Sequence, residues 1–299
     1  MLCSRPLVAS TKNGRNNWSL MKRPALTLAL LLAINTQAQA TWSVVAVDKK
    51  SGEVVIASAT CVPQQAFAGF PAKGLKDVQA IIIPGRGVAA AQANVDRSRH
   101  LQQLIAKELN RGTDPARIIE LLKGDDQYHP SRQYGIVDLQ GRVAGYSGAS
   151  NGKQSLDRQG KVPGADIYFS IQGNILAGDD VVEEAVKAFV NTKGALADRV
   201  MAAMEAADAH GGDRRCKCST PPDPPAPCEN KTAHVAYLVV AGKKDRMGEG
   251  LSDGDYLLEL QVTDQDIKPD ENDNPVKTLR MRYDRWVKTH PVKHGAATR

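Results

Sequence analysis

The chain has 299 residues, 42% hydrophobic, 24% charged and 5% aromatic, proportions that exclude a disordered chain, a collagen-like fibre and a multi-span membrane protein. Its five cysteines are too few for a disulfide-dense mini-scaffold. The net charge of +6 is concentrated in residues 1–40, where five basic residues meet no acidic one; the body is near neutral, and no nucleic-acid partner is expected.

Residues 1–40 read as a leader. Residues 1–20 hold no apolar run, and translation is expected to start at Met21. Met21-Lys22-Arg23 is a positive segment, Ala25 to Ile34 is apolar, and Ala38-Gln39-Ala40 is the small-x-small pattern that signal peptidase accepts. A signal peptide over 21–40, cleaved after Ala40, predicts a periplasmic or secreted protein with no stable membrane anchor. Cleavage there leaves Thr41 first, with a hydroxyl nucleophile and an α-amine base on one residue.

The body, 41–299, reads as one domain. TWSVVAVD (41–48) and EVVIASATC (53–61) are β-branched runs joined across Lys49-Lys50-Ser51-Gly52, a hairpin whose strands are apolar on both faces. Residues 62–77 read as a loop, and Val78 to Pro84 pairs with Gly87 to Ala93 across Gly85-Arg86. Leu101, Leu104, Ile105 and Leu109 have helical spacing, and Thr113-Asp114-Pro115 starts a second helix over 115–123. Gln133 to Asp138 and Arg142 to Ser147 form another hairpin, and Ile167 to Ile171 is a further strand. Asp179-Asp180 opens a helix with the stripe Val182, Ala185, Val186, Phe189 and Val190. The next stripe is Leu196, Val200, Ala203, Met204 and Ala207. A Cys- and Pro-rich insertion, 212–232, precedes the strands His234 to Ala241 and Tyr256 to Thr263 and a last helix, Val276 to Val287. The strand and helix of 255–290 form a C-terminal extension. Tight hairpins mean antiparallel pairing, and strands apolar on both faces need cover on both. The fold class this predicts is α+β, a four-layer α/β/β/α sandwich of two antiparallel sheets.

Four cysteines stay in the mature chain: Cys61, Cys216, Cys218 and Cys228. Disulfides are expected, with three pairings open. Cys216 and Cys218 are too close in sequence to bridge easily, so Cys61 is expected to staple the insertion. A zinc site with His210 lacks paired C-x-x-C spacing, and the other histidines (100, 129, 234, 290, 294) show no ligand spacing; neither metal nor cofactor is expected.

Several segments resemble the DUF1028 family, whose fold is Ntn-hydrolase-like. They are the opening TWSVVAVD with VVIASAT, YGIVDLQGRVAGYSG at 134–148, QGNILAG at 172–178, GGDRR at 211–215 and AYLVVA at 236–241. The tail, DYLLELQVTD with Asn274-Pro275-Val276, is similar to many members. The resemblance covers about residues 41–290 and implies the same sandwich with an exposed N-terminal threonine. Where the family usually has A-T-Q-A, this chain has Ala90-Ala91-Gln92-Ala93.

Thr41 is therefore the candidate nucleophile. Gly173 and Asn174 could cradle an oxyanion or hold the α-amine, though a turn also wants these residues. Gln172, Asp213, Arg215 and Ser58 are candidate substrate-binding residues: the carboxylate could orient the amine and the guanidinium bind an acidic group. Salt bridging and ordinary strand polarity are the plainer readings of Asp213, Arg215 and Ser58. The function expected is an exported N-terminal-nucleophile amidohydrolase acting on a small amide or peptide. The alternative is a non-catalytic envelope or ligand-binding protein on the same fold. The oligomeric state stays open, a homo-oligomer included.

Overall fold

The computed structural model describes residues 41–69 and 73–290. The leader and cut expected over residues 1–40 fall outside that range. Twelve strands and six α-helices are present among the described residues. In chain order they are β1 Thr41–Asp48, β2 Glu53–Thr60, α1 Leu75–Gln79, β3 Ala80–Ile83, β4 Gly87–Ala93, α2 His100–Arg111, α3 Pro115–Asp125, β5 Arg132–Asp138, β6 Val143–Ser147, β7 Leu156–Lys161 and β8 Ile167–Asn174. There follow α4 Asp180–Asn191, α5 Leu196–Ala209, β9 Val235–Ala241, the two-residue strands β10 Arg246–Met247 and β11 Gly254–Asp255, β12 Leu258–Thr263 and α6 Pro275–Thr289.

Six strands form one antiparallel sheet in the order β12-β9-β2-β1-β8-β7, and four form a second in the order β3-β4-β5-β6. Alternation along each strand distributes its side chains between two cores. Trp42, Val44 and Ala46 of β1 pack with residues of α4, α5 and α6. Val45 and Val47 pack with Val88 and Ala90 of β4, so the two sheets face one another. Ile81, Ala89 and Ile136, on the far side of the smaller sheet, pack with α2 and α3. Every residue of the α5 stripe read from sequence is buried.

The local signals act as their chemistry requires. Asp114 caps α3 by accepting from Ala116 N–H at 2.9 Å, ahead of Pro115. Asn274 caps α6 by accepting from Val276 N–H at 3.0 Å. Gly52 closes the β1–β2 turn at φ 78°, the left-handed region that favours glycine.

Three elements differ from the reading above. Residues 75–79 are helical, so the strand expected from Val78 starts at Ala80. The buried Asp77 holds the helix by accepting from Lys73 N–H and Ser252 Oγ, at 2.8 and 2.9 Å. Strand β7 (LDRQGK) was not expected; it is a partly exposed sheet edge with no apolar alternation to betray it. Strand β8 runs on through Gln172, Gly173 and Asn174, which pair with Ser43, Trp42 and Thr41.

Both disulfides involve the insertion. Cys61 joins Cys216, stapling it as expected, and Cys218 joins Cys228. Lys231, with its side chain fully buried, pairs with Asp273 at 2.9 Å and donates to the Pro222 carbonyl at 2.8 Å, locking the same segment against the chain before α6. Stable disulfides belong to an oxidising, non-cytosolic environment. No helix among the described residues is long and apolar enough to cross a membrane.

Candidate active site

Three strands of the larger sheet end in one row. Thr41 heads β1, opposite Thr60 of β2 and Asn174 of β8. Residues directly opposite in an antiparallel pair project to the same face. That face is turned to the second sheet, because Val45 and Val47 share Thr41's alternation and lie between the sheets. Thr41 Oγ1 donates to Thr60 Oγ1 at 3.3 Å. Thr41 is 2% exposed.

Beneath the row lies a seam of amides and hydroxyls. Gln92 of β4 donates from Nε2 to the Thr41 carbonyl at 3.0 Å and to Gln133 Oε1 at 2.8 Å. Its Oε1 accepts from Ser43 Oγ and Gln79 Nε2, both at 2.6 Å. Gln133 Nε2 donates to the Gly173 carbonyl at 2.8 Å. Ser43 Oγ accepts from Gln172 Nε2 at 2.5 Å, and Gln172 Oε1 accepts from Ser170 Oγ at 2.8 Å. The Tyr237 hydroxyl closes the chain on Gln79 Oε1 at 2.8 Å, and burial pushes its pKa far above the ordinary phenol value. Donor meets acceptor at each link, which makes so polar a seam tolerable between two sheets.

The loop after α5 is fastened to the same end. Asp213 is fully buried; its Oδ2 accepts from Cys61 N–H at 2.9 Å, one residue past Thr60. Arg215 clasps the carboxylate from Nε at 3.0 Å and from a terminal nitrogen at 2.7 Å. Leu176 bridges to Asp213, and Ala177 N–H donates to the Gly212 carbonyl at 3.0 Å. The segments around residues 58–61, 172–177 and 211–216 thus converge on the head of β1.

The other residues singled out from sequence are placed as follows. Gln172 lies within the seam. Ser58 Oγ donates to the Trp42 carbonyl at 2.6 Å. Gly173 faces the helix side, where a Cβ would come within 2.8 Å of the Leu176 methyl carbons. Ala91 packs in the core with α2 and α3, on the opposite face from Gln92, so a threonine there would point away from Thr41. Gln79, Gln92, Gln133 and Ser43 were missed as partners of this site. For Ser43 and Gln92 the signal was a lone hydroxyl or amide within an apolar strand run; Gln79 ends α1, and Gln133 follows Arg132 at the start of β5.

A cleft of about 680 Å³ opens where the chain leaves β4, between residues 94–98 and 125–128. Arg132 and Asp126, paired at 2.7 Å, are among its lining residues. Thr41 is not among its lining residues.

Two facing antiparallel sheets flanked by helices, with a threonine heading a central strand and two disulfides, define a disulfide-bonded α+β protein. The chain belongs to DUF1028, described as a family of unknown function, whose model matches residues 41–221. It is similar in fold to the crystal structure of a DUF1028 protein from Silicibacter pomeroyi, at 18% identity and a TM-score of 0.58, covering 83% of this chain and 89% of that one. No curated protein matches it.

Proposed function

We propose that the protein is an exported N-terminal-nucleophile amidohydrolase, periplasmic or secreted, acting on a small amide or peptide. The observation that carries this reading is the place of Thr41. It opens a central strand, between Thr60 and Asn174, directly after a signal-peptidase pattern. The family match also begins at this residue. On this reading the three cores are those of a four-layer α/β/β/α sandwich of the Ntn-hydrolase kind, formed by one domain.

Cleavage after Ala40 creates the α-amine at the head of β1. The amine takes the proton of Thr41 Oγ1 as that oxygen attacks the substrate's amide carbon. The resulting oxyanion is held by amide donors at Gly173 and Asn174. The C–N bond breaks as the amine returns its proton to the leaving nitrogen, giving an ester on Thr41. Water, deprotonated by the same amine, hydrolyses the ester and frees the acid. Gln92 and Gln133 fix the carbonyls of Thr41 and Gly173, holding nucleophile and oxyanion donors in one frame. General-base assistance of this kind is worth roughly 10²–10⁴ in rate.

Turnover of a panel of acyl amides and dipeptides by the exported protein, with Thr41→Ala beside it, tests the reading. An enzyme of this kind loses turnover in the variant with its folding midpoint little changed. Equal turnover by both proteins refutes it.

A further inference from the structure

Beside the row just described, three ligating side chains from distant parts of the sequence meet. Cys61 Sγ, Cys216 Sγ and a ring nitrogen of His234 all lie within 4.8 Å of one another. Cys61 follows β2, Cys216 lies in the insertion, and His234 precedes β9 and donates its backbone N–H to the Thr60 carbonyl at 2.8 Å. The His234 side chain is 1% exposed, and its Nδ1 has no hydrogen-bond partner. Asp264 Oδ2 stands 4.0 Å from that nitrogen, and Asp264 Oδ1 is buried without a partner. An imidazole buried beside two sulfurs that reduction would turn into thiols, with a carboxylate 4.0 Å away, has the donor set of a thiolate–histidine metal centre.

We propose that Cys61, Cys216 and His234 bind Zn²⁺ or a similarly soft divalent ion whenever the Cys61–Cys216 bond is reduced. The corner next to Thr60 then has two alternative staples, a disulfide or a metal. A thiolate of a dithiol reductant attacks one sulfur, the S–S bond breaks, and the reductant's second thiol resolves the mixed disulfide. The reductant leaves oxidised, and two cysteine thiols remain. The ion displaces both thiol protons to solvent, and one imidazole nitrogen gives the third bond. Asp264 accepts the hydrogen of the other ring nitrogen and orients the ring. Sequence spacing hides the site, because no two ligands share a short motif. The inference stands on these side chains alone and is independent of catalysis at Thr41.

The test uses the full chain with Cys3→Ser, Cys218→Ser and Cys228→Ser, reduced by a dithiol and desalted without oxygen. Co²⁺ is then added, followed by Zn²⁺, with circular dichroism recorded throughout. The expected result is one equivalent of tetrahedral thiolate–cobalt absorption, displaced by Zn²⁺ and absent from the oxidised chain. Cys61→Ser and His234→Gln abolish it, and Asp264→Asn weakens binding by about 10–100-fold. A folded, reduced chain that gives no cobalt band overturns the proposal. So does unfolding on reduction, or a band of unchanged affinity in His234→Gln.

Discussion

Gln92→Leu is the substitution that probes the inter-sheet seam most directly. It keeps the side chain's bulk and removes four hydrogen bonds of 2.6–3.0 Å. The partners left behind are the Thr41 carbonyl, Gln133 Oε1, the Ser43 hydroxyl and the Gln79 amide, all in buried residues. Each buried polar group stranded in this way costs about 1–3 kcal/mol. Some re-pair, so a total on the order of 4 kcal/mol is expected, a large share of the roughly 5–15 kcal/mol that holds a domain folded. Urea unfolding followed by intrinsic tryptophan fluorescence, in which the buried Trp42 takes part, should show a large fall in midpoint with unchanged slope. Gln92→Glu should be no milder, because it turns a carboxylate oxygen toward two acceptors. Gln103→Leu, exposed on α2, is the control and should stay within about 0.5 kcal/mol. A loss below about 1 kcal/mol for Gln92→Leu would refute the idea that this amide couples the two sheets.

The two disulfides should differ in worth. Their loops span 155 and 10 residues, and chain entropy assigns them about 5 and about 3 kcal/mol, so Cys61→Ala with Cys216→Ala should lower the unfolding midpoint more than Cys218→Ala with Cys228→Ala. Arg215→Met strands the fully buried Asp213 carboxylate and should cost about 3–5 kcal/mol by chemical denaturation; a near-neutral result would mean that the backbone donors suffice. Hydrogen bonds from Arg282, then Lys268 N–H and Arg285, hold the Glu271 pKa down to about 2 from its ordinary 4.5. Its contribution is therefore complete above pH 4.5 and is lost as pH falls toward about 2; an acid titration of Glu271→Gln should have a shallower slope in that window.

Much of this architecture was legible because its signals are local. The β1–β2 hairpin follows from two β-branched runs and a turn ending in glycine. The caps of α3 and α6 follow from Asp114-Pro115 and Asn274-Pro275, and the buried faces of α4 and α5 follow from helical spacing. Cys61 was expected to reach the insertion because its neighbours there were poorly placed to bridge one another. What escaped depends on tertiary context. Strand β7 is polar and owes its existence to pairing with β8. Helix α1 owes its place to contacts with residues more than 170 positions away, among them the bond from Ser252 to Asp77. The candidate site was half visible. The expected leader drew attention to Thr41, and a motif to Asn174, but behind them Gln92 and Gln133 come from the facing sheet and Gln79 from α1. A single polar residue in an apolar strand does not say which partner it will meet. Gln172, expected as a substrate contact, lies in the seam through the register of β8 and bonds Ser43 there, a partner its motif does not show.

The central claim is that export leaves a reactive threonine at the head of β1. The direct measurement is to expose the protein purified from its export compartment to an acylating β-lactone and map the adduct by peptide mass spectrometry. The account predicts a chain beginning at Thr41, with one acyl group on that residue and none after unfolding in denaturant. A chain that begins elsewhere, or a Thr41 that stays unmodified in the folded protein, would contradict it.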